Sequence, residues 1–353
     1  MHLCHLRLHN FRQYKEASFT FSPKVNVIRG PNARGKTTIL EAIYVLITGR
    51  SFRTPQLLDL INEEASYFIL EAVFVKHGIE QSLKFYYNGK ERKITHNTTP
   101  YFSTTILFGL LQGTVVHPDD ATIIKGPPAI RRHLMDVSLA QVDPLYIHHL
   151  TRYMKAMHQR NALLKLRQLA TIEPWETEMA SSAAYVVHHR NQIVRDLQEK
   201  GRPLHERICG SAEELSLTYK ANGAGNGTDC IGDLREIFFD QYQRHRSREM
   251  EFGCTLTGPH KDDLLIACNK REAKSFASDG QQRSSIVALR LAEWERLHQL
   301  SGNQPFMLVD DMNMSLDDSR KLHLLEYLHA LSQVFVTTTK DKAFFNHEFV
   351  IEI

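Results

Sequence analysis

The sequence predicts an α/β fold divided in the chain around a mainly helical insertion, and three observations carry that expectation. A glycine-rich loop lies between a short apolar run and a helical pattern near the N-terminus. An apolar strand ending in two aspartates stands near residue 310. Between about Pro127 and Lys200 the pattern changes to long helical periodicity. The expected boundaries are 1–114 for the N-terminal part of a head, 115–250 for the inserted helical domain and 251–353 for the returning part of the head. A chain of 353 residues exceeds one compact core of ordinary size, which agrees with two lobes.

Taken in order, Leu3, Leu6 and Leu8 set against His5, Arg7 and His9 mark a first strand, and Phe19 to Phe21 a second. Residues 67 to 75 and 81 to 87, separated by Gly78 and followed by Asn88-Gly89, form an antiparallel meander. Leu145, His149, Tyr153, Ala156 and Met157 are expected to share one helix face, which Leu163, Leu164, Leu166 and Leu169 continue. Pro174 is expected to separate that helix from one running from about Trp175 to Gln198. Two such helices make an antiparallel arm rather than an extended coiled coil. Asn222 to Gly227 reads as a flexible loop. After Gly258 the pattern returns to a strand near Leu264 to Ile266, a helix from about Gln281 to Leu300, the strand Phe306 to Val309, a helix from about Ser319 to Leu331 and the strand Val334 to Thr337.

The composition is that of a globular protein. Net charge is only +3, from 43 basic against 40 acidic side chains, so any contact with nucleic acid must come from local clustering. The candidate clusters are Arg131, Arg132, Lys155, Arg160, Lys165 and Arg167 on the arm, and Arg7, Arg12 and Lys15 near the start. The start lacks an apolar segment of signal-peptide length, and no run approaches the roughly 18 apolar residues of a membrane span. A cytoplasmic protein is expected. Five scattered cysteines without a C-x-x-C pair read as reduced, mostly buried thiols. The adjacent pairs His148-His149 and His188-His189 point in different directions on a helix, which argues against metal ligation.

Gly30, Pro31, Asn32, Ala33, Arg34, Gly35, Lys36 and Thr37 form the pattern G-x4-G-K-T between the strand Val25 to Ile28 and a helix through Ile39 to Leu46. Glycine lets the backbone approach a ligand closely and adopt the φ values of a phosphate cradle, and the helix N-terminus adds unsatisfied N–H donors. Lys36 is expected to reach the β- and γ-phosphates of a nucleoside triphosphate, and Thr37 to offer its hydroxyl to Mg²⁺. Phe306 to Val309 ends in Asp310-Asp311, where a strand of a parallel sheet opens toward a ligand crevice. Asp310 is the expected second Mg²⁺ ligand, through water, and Asp311 the group that orients the attacking water. Both serve only if the strand breaks into a loop there, because neighbours on a strand alternate faces. Ser278-Asp279-Gly280-Gln281 precedes a helix. It reads as a capped helix start and also as a second anion site, for which a simple phosphotransferase has no need.

Together these parts resemble the ATP-binding-cassette type of head, and within it the chain resembles the RecF family of SMC-like ATPases. The resemblance covers almost the whole chain. It is carried by Asn10 to Tyr14, Gly30 to Thr38 with Leu40 to Ile43, Arg50 to Thr54, Lys125 to Pro128 with Arg131-Arg132, and Gln159 to Asn161. It continues in Gly258 to Asp263, Ser278 to Arg283, and Leu316-Asp317-Asp318. It implies an ATP-dependent homodimer in which Ser278, Gly280 and Gln281 of one subunit meet the γ-phosphate held by Gly30 to Thr38 of the other. Arg12 is then a further phosphate contact, and Thr337 to Thr339 stand where transporter-type ATPases carry a switch histidine.

By the same resemblance the protein binds single-stranded, gapped or junction DNA in replication and recombinational repair and works with RecR and RecO mediators. It then hydrolyses ATP slowly. Asp311 stands where most cassette ATPases have glutamate, one methylene longer, which agrees with slow turnover. Met314 departs from the small polar residue usual in the D-loop, and His117 to Asp120 occupy the Q-loop segment. His260 with Asp262 and Asp263 is expected to play a structural or interface role near the nucleotide. Two other classes stay open: a P-loop kinase, which needs a small-substrate pocket and a lid, and the ATPase subunit of a transporter, for which the arm offers no broad apolar face.

Overall fold

The computed structural model of the protein describes residues 1–210, 213–224, 230–311, 317–339 and 348–353. The chain opens with β1 (His2–Phe11), β2 (Tyr14–Thr20), β3 (Val25–Arg29) and helix α1 (Lys36–Thr48). Strands β4 (Phe68–Lys76), β5 (Ile79–Tyr87), β6 (Arg92–His96), β7 (Thr99–Tyr101) and β8 (Gly113–Val116) follow. The helical stretch is α2 (Ala121–Lys125), α3 (Pro128–Ala140), α4 (Pro144–Leu166) and α5 (Glu173–Cys209). Next come β9 (Leu215–Lys220), α6 (Ile231–Arg244), α7 (Arg246–Phe252), β10 (Asp263–Cys268), β11 (Arg271–Glu272) and α8 (Ala273–Phe276). Helix α9 (Asp279–Ser301), β12 (Phe306–Val309), α10 (Asp318–Ala330), β13 (Val334–Thr338) and β14 (Phe349–Glu352) complete the chain.

Contacts divide it into two units. The first is Met1–Ala121 with Pro203–Glu213 and Ser278–Ile353, and the second is Thr122–Arg202 with Glu214–Ala277. Residues 251–277, expected with the returning head, belong to the second unit because β10 pairs antiparallel with β9, Asp263 lying opposite Lys220 and Cys268 opposite Leu215. Residues 115–121 belong to the first unit. There β8 pairs in parallel with β12, and Arg290 of α9 clamps the Asp120 carboxylate at 2.7 and 3.2 Å. Burial alone would raise the Asp120 pKa, but Arg290 and His117 outweigh it and hold the carboxyl below its usual range.

The first unit carries two sheets. The antiparallel one has the order β2-β1-β4-β5-β6-β7, and the parallel one β14-β3-β13-β12-β8. Sequence pattern separates them. Strand β4 alternates buried and half-buried residues, as a strand covered on one face must, whereas every residue of β8, β12 and β13 is buried, as in a parallel sheet covered on both faces. Helix α1 is buried along nearly its whole circumference and packs against strands of both sheets, so its apolar residues need no polar outer face.

The second unit holds the helices from α2 to α8, except the end of α5 from Pro203 on, and the small sheet β11-β10-β9. The expected break between two helices falls at residues 167–172, and Pro174 lies in the first turn of α5, where a missing N–H costs nothing; that helix runs on to Cys209, beyond the expected Gln198. The expected apolar face of α4 holds at Tyr153, Ala156, Met157 and Leu164, which are buried, and differs in the first turn. There Asp143 caps the helix at 3.0 Å from the Leu145 N–H and takes the Tyr185 hydroxyl at 2.8 Å, and Tyr146 is buried while Leu145 is exposed. The five cysteines are free, but only Cys268 is buried, and Cys230 is exposed. Of the Asn222 to Gly227 loop, Gly225, Asn226 and Gly227 lie outside the described residues.

Half of the basic stripe expected on the arm turns inward, while Lys155, Lys165 and Arg167 are exposed. Arg160 is fully buried and donates to Glu176 at 3.1 Å, Glu249 at 2.6 Å, Thr255 at 2.9 Å and the Tyr242 carbonyl at 2.8 Å. Arg131 pairs with Asp263 at 2.7 and 2.9 Å, and Arg132 donates to the Asp262 carbonyl at 2.7 Å. Near the start, Arg7 pairs with Glu16 and Lys15 with Glu64. A guanidinium cannot enter an apolar interior without carboxylates and carbonyls to satisfy it, so a cation on a helical face is no sign of solvent exposure. His260 and Asp262 are structural in the same sense. The imidazole pairs through Nδ1 with the Tyr153 hydroxyl at 2.6 Å and through Nε2 with the Thr255 carbonyl at 3.0 Å. Asp262 accepts the Asn222 N–H at 2.6 Å and the Tyr219 hydroxyl.

Replacing Arg160 with Met should lower stability by about 3–5 kcal/mol, because it strands buried carboxylates, whereas the exposed Lys155→Met should stay within about 0.5 kcal/mol. Chemical denaturation of the two variants checks this. Burial pushes the His260 imidazole down to about 4 from an ordinary 6.5. Folding therefore favours its neutral form, and the protein should lose stability as pH falls from about 6.5 toward 4. An NMR titration showing His260 protonating near 6.5 in the folded protein would contradict it.

Candidate functional site

The parallel register brings the carboxyl ends of β3, β13 and β12 level. Thr337 of β13 lies opposite Ile28 of β3, and Val336 lies opposite Val309 of β12. The loop from Gly30 to Gly35 leaves the end of β3 and enters α1 at Lys36. Two glycines make its path possible. A Cβ at Gly30 would stand 2.5 Å from the Ile353 carbonyl oxygen, and Gly35, at φ 95°, would place one 2.6 Å from the Tyr14 hydroxyl. Ala33, at φ 63°, also takes the left-handed conformation. Turns of this kind converge backbone N–H groups on an anion, and the N-terminus of α1 adds its own donors.

Lys36 curls back over the loop and donates to the carbonyls of Gly30 and Pro31, both at 2.7 Å. Burial pushes its ammonium pKa down, while Asp310 and Asp311 pull it up. The Thr37 hydroxyl reaches across to Asp310 at 2.8 and 3.0 Å, and Thr337 donates to the same carboxylate at 2.8 Å. Asp311 sits at φ 56°, where the strand has broken, and its N–H donates to Thr337 Oγ1 at 2.8 Å. The break is what frees consecutive aspartates from alternating faces. Between these groups lies a cleft of about 330 Å³ bordered by Asn32, Ala33, Gly35, Lys36, Thr37 and Thr38 on one side. Asp310, Asp311 and Thr337 to Thr339 close the other side, with Gln13, Arg53 and Pro118 also on its border. Chemically the arrangement suits a polyphosphate, with converging N–H donors, one ammonium, and a hydroxyl beside a carboxylate of the kind that a hard divalent cation takes.

Not every expected site residue borders it. Pro31 contributes its carbonyl to Lys36, and Arg34 its carbonyl to the Tyr14 hydroxyl at 3.2 Å. Arg12 is turned away. Its guanidinium grips the buried carboxylate of Glu41 at 2.7 and 3.0 Å and the Asp59 carbonyl at 2.9 Å. The side chains that reach the cleft from these segments are Gln13 and Arg53, which sequence reasoning had quoted only as members of motifs. Arg53 also donates to Glu41 at 3.2 Å, and Ser51 does so at 2.5 Å, so one buried carboxylate orients both arginines.

Ser278, Gly280 and Gln281 do not border the cleft either. They form the first turn of α9 as a reciprocal cap: Ser278 Oγ accepts the Gln281 N–H at 3.2 Å and the Gln281 side chain accepts the Ser278 N–H at 2.9 Å. Gln281 also donates to Glu213 at 3.3 Å. Asp317 caps α10 at 2.9 Å from the Arg320 N–H, while Met314 and Leu316 lie outside the described residues. Pro118 of the expected Q-loop segment lines the cleft, and His117 and Asp120 are tied to each other at 3.1 Å.

Comparison with known proteins agrees with this architecture. Residues 2–353 match the family described as RecF/RecN/SMC N terminal domain. The chain is 47% identical to the DNA replication and repair protein RecF of Protochlamydia amoebophila, over 98% of this chain and 96% of that one. It is 35% identical to its namesake in Bacillus subtilis, over 96% and 93%. Among solved structures, that of the recombination mediator protein RecF-ATPrS in the RecFOR pathway superposes with a TM-score of 0.90 at 28% identity, covering 100% of this chain and 96% of that one. Among the described residues no helix is long and apolar enough to cross a membrane. The chain belongs to the RecF family of DNA replication and repair proteins, built on an ABC-type, SMC-like ATPase head.

Proposed function

We propose that the chain is an ATP-gated DNA clamp of replication and recombinational repair, which closes as a homodimer around two shared nucleotides and reopens on slow hydrolysis. In this reading Gly30 to Thr38 hold the triphosphate, and Lys36 exchanges the carbonyls of Gly30 and Pro31 for β- and γ-phosphate oxygens. The Thr37 hydroxyl and the Asp310 carboxylate, already 2.8 Å apart, fit a Mg²⁺ site. When bound, the ion neutralises charge on the phosphate oxygens. Asp311 orients the attacking water, its backbone fixed by Thr337. The solved relatives described as RecF-ATP and RecF-ATPrS support ATP as the ligand, and their place in the RecFOR pathway supports RecR- and RecO-type partners and DNA.

One observation carries the dimer. Gly280 lies in a helical turn, without a positive φ, and a Cβ there would meet nothing nearer than Arg320 Nη1 at 3.5 Å. Neither its own backbone conformation nor its own chain's packing requires a glycine. Ser278 beside it is exposed, and neither residue touches the cleft of its own subunit. Close approach by a second subunit's triphosphate is what calls for a bare backbone at this helix N-terminus. The exposed cations left on the arm, Lys155, Lys165 and Arg167, supply phosphate contacts to DNA, which makes the binding salt-dependent and largely indifferent to sequence.

Replacing Lys36 with Met should abolish ATP binding and, with it, ATP-induced dimerisation in light scattering, with or without a gapped duplex. A variant that still dimerises would refute the assigned cradle. Replacing Gly280 with Ala should leave the subunit as stable or up to about 1 kcal/mol more so, since alanine favours a helix. Nucleotide binding by the monomer should persist while dimerisation weakens, and Ser278→Arg should block dimerisation altogether. Equal loss of monomer binding in both variants would place the turn in its own subunit's site.

A further inference from the structure

Behind the capped first turn of α9, apart from the phosphate cleft, His205, Cys209 and Glu213 each offer one ligand atom, and these atoms all lie within 4.8 Å of one another. We propose that His205 Nε2, Cys209 Sγ and the free Glu213 carboxylate oxygen bind a single Zn²⁺ ion. The inference stands independently of the dimer reading.

Spacing supplies two ligands from one surface, since His205 and Cys209 stand one turn apart near the end of α5. Their ligand atoms are 3.6 Å apart. That separation matches the edge of a zinc tetrahedron, about 3.5 Å for nitrogen at roughly 2.0 Å and sulfur at roughly 2.3 Å. The imidazole is also oriented for the task. Its Nδ1 lies 3.2 Å from the Glu213 carbonyl, so donating there leaves the Nε2 lone pair facing Cys209. A backbone carbonyl on the other ring nitrogen is the usual support of a metal-binding histidine.

The carboxylate completes the set. Glu213 Oε1 accepts from Gln281 at 3.3 Å and Arg320 at 3.4 Å, but Oε2 is buried with no hydrogen-bond partner. A buried carboxylate oxygen met by no more than a weak thiol donor is costly, and a cation between the carboxylate, the sulfur and the imidazole relieves it. A donor set of imidazole, thiolate and one carboxylate suits Zn²⁺ and not Mg²⁺, which takes oxygen ligands. On binding, the Cys209 thiol releases its proton to solvent and the sulfur–zinc bond replaces it. The Ser285 hydroxyl lies 3.2 Å from Nε2 on the same side. Zinc would then fasten the segment Pro203–Glu213 to the turn that carries Ser278 and Gln281, because Glu213 and Gln281 already touch.

The full chain, stripped of metal and then given equimolar Zn²⁺ in excess Mg²⁺, should retain one zinc per chain. Cys209→Ser and His205→Gln should bind it at least about tenfold more weakly. Cys268→Ser, which alters a buried cysteine of the second unit, should bind it as the unsubstituted protein does. Co²⁺ added to the unsubstituted protein should give a sulfur-to-metal charge-transfer band and shield Cys209 from alkylation, a readout that does not depend on the variants folding. Cobalt bound without that band, alkylation of Cys209 unaffected by metal, or zinc retained equally by Cys209→Ser would each overturn the proposal.

Discussion

Asp310 is the carboxylate on which the head is organised. It accepts the hydroxyls of Thr37 and Thr337, the first of them 273 positions away in the sequence, and so fixes the first turn of α1 to the ends of β12 and β13. The pairing is possible only because three parallel strands end level, and they end level because one buried sheet with both faces covered sets their register. Ligand chemistry at this edge follows from the fold. The hydrogen bonds of Thr37 and Thr337 hold the Asp310 carboxylate in one orientation at this edge.

Charge is used in the same manner away from the cleft. Arg160 and Arg190 lie fully or almost fully buried, each satisfied by carboxylates and carbonyls of distant segments, and Glu41 gathers Arg12, Arg53 and Ser51. Such groups are costly to desolvate, and they tolerate few alternative arrangements, because any repacking leaves a charge without its partner. The networks of Arg160 and Arg190 thus tie together segments of the second unit far apart in sequence. Of the basic residues the sequence marked on the arm, Lys155, Lys165 and Arg167 face solvent and are the ones open to the proposed DNA contacts.

The first turn of α9 joins two of the inferences without making either depend on the other. Its outer side, with Ser278 and Gly280, is open and uncrowded. Its inner side meets Glu213, Arg320 and, one turn on, the pair Ser284 and Ser285 that reach toward Cys209 and His205. Gln281 belongs to both sides, closing the cap with one end of its amide and touching Glu213 with the other. Anything that fixes Glu213 therefore bears on the shape of the turn.

By itself the sequence determined the division of a head around a helical insertion, the strand, loop and helix of the cradle, and Lys36, Thr37 and Asp310 as neighbours. Those features are local: glycine spacing, apolar period and strand-end aspartates express backbone preferences that act within a few residues. Tertiary structure alone decided that Arg12 turns to Glu41 while Gln13 and Arg53 reach the cleft, that Arg131 and Arg160 are interior, and that His205, Cys209 and Glu213 converge. It also decided that residues 251–277 join the second unit. The physical reason is common to all of these. Which way a charged side chain points, and what meets it, is set by the desolvation and pairing of groups brought together by packing, and linear spacing carries no record of that.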